Sequence, residues 1–105
     1  MAEMKNTFYD FTFEDGGSVK MTLAFYHLYQ LKNINKGLYE RYNKIMTTGA
    51  KEEIEMITVL YAAYVCANIT DVGNCMSEDE FMIKCGSDRY AVRNAVEALT
   101  KAKKR

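Results

Sequence analysis

Tyrosine is the residue this chain uses most distinctively: there are eight, with seven methionines beside them and no tryptophan. Tyr26 and Tyr29, Tyr39 and Tyr42, and Tyr61 and Tyr64 are each separated by three residues, a spacing that puts both rings of a pair on one face of a helix. A phenol joins a large apolar ring to a polar tip, so it suits the rim of a core and a protein contact equally well. Methionine adds a thioether that repacks readily against different partners. From these types and spacings the expected chemistry is adaptable apolar binding, with Tyr26, Tyr29, Tyr61, Tyr64 and Phe81 as the expected partner-binding residues. The other reading of the same tyrosines is that they rim an ordinary core with their hydroxyls reaching water.

The residues that could do covalent or acid–base chemistry are sparse. The single histidine, His27, stands between Tyr26 and Leu28 with no Ser-, Cys- or Asp-containing motif around it, so no catalytic residues and no enzyme are expected. Cys66, Cys75 and Cys85 are an odd set without a CxxC pair, and with His27 they match no zinc-knuckle spacing, so buried reduced thiols and no metal are expected. Gly16-Gly17 lacks the Lys-Ser or Lys-Thr of a phosphate loop and is explained by a turn. Asp71, Glu78, Asp79 and Glu80 do not follow the calcium-loop order, and the last three suit a helix N-terminus. No cofactor is expected. The segment around Gly86-Ser87-Asp88 has the outline of a helix-turn-helix, with Arg89 and Arg93 near the start of its second helix. A small DNA-binding regulator using the last two helices is therefore the alternative reading. Fourteen basic and fourteen acidic residues cancel, which argues against nucleic acid as the partner and in favour of protein.

The elements that must position these residues follow from periodicity. A length of 105 residues, 49% of them apolar, is enough for one core and too little for two ordinary domains. Tyr9, Phe11 and Phe13 alternate, Glu14-Asp15-Gly16-Gly17-Ser18 supplies a reversal, and Val19, Met21 and Leu23 alternate again, giving a β-hairpin. From about Leu23 the period becomes helical as far as Lys32-Asn33. Asn35 is placed to cap a second helix that Gly49 ends, with Leu38, Tyr42 and Ile45 as its stripe. Lys51 to about Asn68 is the longest apolar segment and the expected central helix, with Ala62, Ala63 and Ala67 available for close approach. A loop follows. Ser77 to Glu80 has the capping-box spacing, which opens a short helix running to Gly86; a last helix buries Val92, Ala95, Val96 and Leu99.

The expected fold is mainly α with a small N-terminal β-hairpin (α+β), about five helices packed around a central helix. Residues 1–6 are read as a flexible N-terminus, 7–100 as a single domain and 101–105 as a disordered basic tail. No apolar run approaches the ~20 residues of a membrane span, and the start lacks the apolar stretch of a secretory signal. An intracellular protein is expected. The hairpin leaves an edge strand, from which self-association is expected.

The order of these pieces resembles a tail assembly chaperone of long-tailed bacteriophages, or prophages, of Gram-positive bacteria. The resemblance rests on Phe11-Thr12-Phe13-Glu14-Asp15-Gly16, on Leu23-Ala24-Phe25-Tyr26-His27-Leu28-Tyr29-Gln30-Leu31, on Leu60-Tyr61-Ala62-Ala63-Tyr64 and on Met76-Ser77-Glu78-Asp79-Glu80-Phe81. It implies a small, mainly helical, non-enzymatic protein that coats the tape-measure protein in the host bacterial cytoplasm during tail tube assembly and is absent from the mature virion. The tail tube protein is a second candidate partner. The resemblance further implies a homo-oligomer and a longer form made by ribosomal frameshifting; it supplies no functional residues.

Overall fold

The computed structural model describes residues 8–101. The expected loose N-terminus and all but the first residue of the expected basic tail lie outside the described residues. Strands β1 (Tyr9–Thr12) and β2 (Ser18–Met21) pair antiparallel, with Phe11 opposite Val19 and Tyr9 opposite Met21. Alternation sends Phe11, Phe13 and Met21 into the core, while Asp10 and Lys20 pair across the outer face at 2.9 Å. At the reversal, the Phe13 amide donates to the Gly17 carbonyl and the Gly17 amide to the Asp15 carboxylate.

Helix α1 (Phe25–Ile34) begins two residues later than the periodicity suggests. Thr22 explains the delay: its amide donates to the Ala63 carbonyl and its hydroxyl accepts from the Ala24 amide, which holds residues 22–24 extended. Asn35 alone separates α1 from α2 (Lys36–Thr48). Its amide donates to the Leu31 carbonyl, its carbonyl accepts from the Tyr39 amide, and its side chain accepts from the Leu38 amide. Gly49, at φ +88°, ends α2 with its amide on the Ile45 carbonyl.

Helix α3 (Glu53–Ala67) is buried continuously from Thr58 to Cys66 except at Tyr61, as expected of a helix packed on all sides. It contacts every other helix among the described residues, and β2 as well, so the expected central helix is the observed one. The expected loop after it winds into a 3-10 helix (Ile69–Asn74), irregular at Asp71. Ser77 accepts from the Glu80 amide at 3.1 Å to open α4 (Glu78–Cys85), and Asp88 accepts from the Ala91 amide to open α5 (Arg89–Lys101). The acidic first turn of α4 lies where the helix dipole favours negative charge. The architecture is thus mainly α with an N-terminal two-stranded hairpin. No helix among the described residues is long and apolar enough to cross a membrane.

Candidate partner-binding surface

Helix α1 carries the largest concentration of exposed aromatic surface. Leu31 is fully buried and Leu28 partly so, which fixes the inward face of the helix. His27 reinforces this: its Nδ1 lies 3.0 Å from the Cys66 carbonyl oxygen, which can only accept, so Nδ1 carries the proton and ties α1 to the end of α3. The face turned away from those anchors bears Phe25, Tyr26 and Tyr29, which are 88%, 66% and 62% exposed. Tyr26 and Tyr29 stack at 6.5 Å, and Tyr26 and Phe8 each meet the His27 ring edge-on. The rings form a nearly continuous apolar strip. With each ring offering ~150–250 Å², the strip amounts to on the order of 400–500 Å², the size of the largest and often functional patch on a monomer. That is roughly half of the ~800 Å² per partner typical of a stable complex. It suits a contact that forms and releases.

Two of the five expected partner-binding residues, Tyr26 and Tyr29, belong to this strip; the other three do not. Phe81 is fully buried and Tyr64 is 6% exposed, which corrects their assignment to a partner surface. Tyr61 is partly buried beside them, and the three rings pack with centroids 5.5–6.0 Å apart. The physical reason is direction. The i, i+3 spacing does put Tyr61 and Tyr64 on one face of α3, but α4 covers that face. The Tyr61 hydroxyl donates to the Met76 carbonyl at 2.9 Å, and the Tyr64 hydroxyl accepts from the Met76 amide at 3.0 Å. The polar tips therefore hold the chain entering α4, and burial pushes both phenols above their usual range. The methionines do not join the strip either: Met21 is in the core, Met56 and Met76 pack against it and Met82 on α4 is half-buried, leaving Met46 on α2 as the exposed one among those described.

Phe25 is the strip residue that sequence reasoning missed, because it falls within the same three- and four-residue period as Leu28 and Leu31. Spacing does not separate it, since Phe25 stands three residues before Leu28 as Leu31 stands three after; the burial of Leu31 and the anchoring of His27 place the inward side and leave Phe25 and Tyr29 turned from it.

The thiols of Cys66 and Cys85 are buried, which pushes them up to about 12 and about 11 and leaves them unreactive. Arg89 and Arg93, the residues of the helix-turn-helix outline, are both engaged by the Glu53 carboxylate, Arg93 at 2.7 Å. Beside this cluster, Ile54, Ile57 and Val92 line a groove of about 400 Å³ between α3 and the α4–α5 junction.

These ion pairs give the fold an acid dependence. The Arg89 guanidinium, with Arg93 second to it, holds the Glu53 carboxyl below its ordinary value of 4.5, and Lys84 does the same for Asp15 relative to 3.8. A depressed folded-state value contributes stability above the unfolded-state value, and that contribution disappears as the pH falls through the folded one. The melting temperature is therefore expected to drop as the pH is lowered below about 4.5, with a shallower drop for Glu53→Gln over the same range. Identical profiles for the two proteins would remove Glu53 from the acid response.

Compared with protein-family models, curated proteins and solved structures, the chain shows no match.

Proposed function

We propose that this protein is a non-enzymatic assembly chaperone, of the kind that coats the tape-measure protein of a long-tailed phage in the host cytoplasm, and that α1 is its contact surface. The observation that carries the reading is the aromatic strip: Phe25, Tyr26 and Tyr29 stand in solvent on a helix whose opposite face is firmly anchored. A tape-measure protein is a long helix with apolar stripes, and an apolar ring surface can cover such stripes without demanding one register. The modest area of the strip fits a partner that must be given up once the tail tube closes around it. The resemblance in element order supplies the identity of the partner, and the tail tube protein is the second candidate.

Replacing Phe25, Tyr26 and Tyr29 together by serine is expected to abolish co-purification with the co-expressed tape-measure protein. The melting temperature should stay within a few degrees of the parent, since surface changes away from packing typically cost ~0.5 kcal/mol or less each. Undiminished co-purification by a folded triple variant would defeat the proposal.

A further inference from the structure

The strip is not uniform along its length, and its asymmetry bears on what it binds. On a helical projection Phe25 and Tyr29 are followed by Lys32 at i+7, so the ring surface runs for just over one turn, about 6 Å, and the exposed ammonium stands roughly 5 Å further along the axis. Lys32 Nζ lies 5.8 Å from the centroid of the partly buried Tyr39 ring of α2, which holds it at the corner where α1 gives way to α2. Lys36 follows just beyond the Asn35 joint, in the first turn of α2. A cation there opposes the helix dipole, and no acidic residue in that turn offsets it. Glu40 is its nearest carboxylate at 3.9 Å, with both side chains largely in water, so that pair contributes little. The 3-10 helix that also packs on α1 brings Asp71, whose carboxylate accepts from the Asn74 amide group at 2.7 Å. Within Phe25–Leu31 there is no acidic or basic residue apart from the anchored His27.

Resting on the function proposed above, we infer that the partner segment is an amphipathic helix whose apolar stripe, just over one turn long where it meets the rings, is followed by carboxylates that meet Lys32 and Lys36. The apolar strip supplies adhesion, and the two ammoniums choose which stripe is covered and where it is placed.

The test uses two synthetic helical peptides with the same leucine stripe of just over one turn, one continued by glutamates and the other by lysines, titrated against the full-length protein by fluorescence anisotropy. The glutamate peptide is expected to bind roughly tenfold more tightly at low salt, with the preference shrinking as salt rises. The double charge reversal Lys32→Glu with Lys36→Glu should invert the preference, which a merely structural role for these exposed residues would not do. Equal binding of both peptides, with loss of binding in the serine variant of the strip, overturns the inference and leaves the proposed function standing. Failure of both peptides to bind overturns both.

Discussion

Replacing Phe81 with alanine is expected to cost about 3–5 kcal/mol, a large share of the ~5–15 kcal/mol available to a domain of this kind. The ring has no solvent-exposed surface, and it stacks on Tyr64, packs against Tyr61 and receives Phe13 edge-on at 5.7 Å. It is therefore the point where α3, α4 and the end of β1 meet, and removing it leaves a cavity that three neighbouring rings cannot close by rotating. Urea unfolding followed by circular dichroism should show a much lower midpoint, or a protein already unfolded in buffer. Phe25→Ala is the paired measurement: the same change at an 88% exposed ring should move the midpoint little. If Phe81→Ala melts like the parent, the packing described around α4 is wrong.

The second large effect is expected at Gly86. This residue ends α4 at φ +64° and ψ −126°, a conformation that costs a side-chain-bearing residue about 1–3 kcal/mol. A Cβ there would also overlap the Glu14 carboxylate, which accepts from the Ser87 amide at 3.2 Å. Together with the 2.8 Å pair of Asp15 and Lys84, that bond fastens the hairpin turn to the α4–α5 junction. Gly86→Ala should thus strain the backbone and displace the Glu14 carboxylate from the Ser87 amide at once. The two contributions separate in a double-mutant cycle: with Glu14→Ala already present, the overlap is gone and Gly86→Ala should cost less than in the parent. Strict additivity would show that Glu14 does not occupy the space above Gly86.

Much of the fold was legible because local chemistry and global packing agree. Asn35, Gly49, Ser77 and Gly86 each end or begin a helix where their side chains or backbone freedom demand it, and the unbroken apolar run of α3 could only belong at the centre. The start of α1 was misplaced because a hydrogen bond from Thr22 to a residue 41 positions away overrides the local period. The candidate site was only partly legible for a related reason. A spacing of three states that two rings share a face; it does not state whether another helix lies on that face. Tyr26–Tyr29 and Tyr61–Tyr64 are indistinguishable by spacing, yet the first pair looks outward and the second is covered by α4, a helix that begins 14 residues beyond Tyr64. The fastening of Glu14 to Ser87, 73 residues apart, left no trace in the sequence pattern beyond a glycine that a helix end explains equally well.

The single-residue joint at Asn35 has a consequence for which changes of chain length the molecule tolerates. Its amide, carbonyl and side chain are all committed to neighbouring turns, and Leu31 and Leu38 on either side of it are both buried. One extra residue in a helix turns everything beyond it by about 100°. Insertion at this joint would therefore have to rotate either Leu31 out of the interior or the whole of α2 about its axis, and the ring face of α1 would turn with it. The stretch between Gly49 and Glu52 carries no such gearing. Length variation should be absorbed there, while the spacing between the rings of α1 and the lysines around Asn35 stays locked.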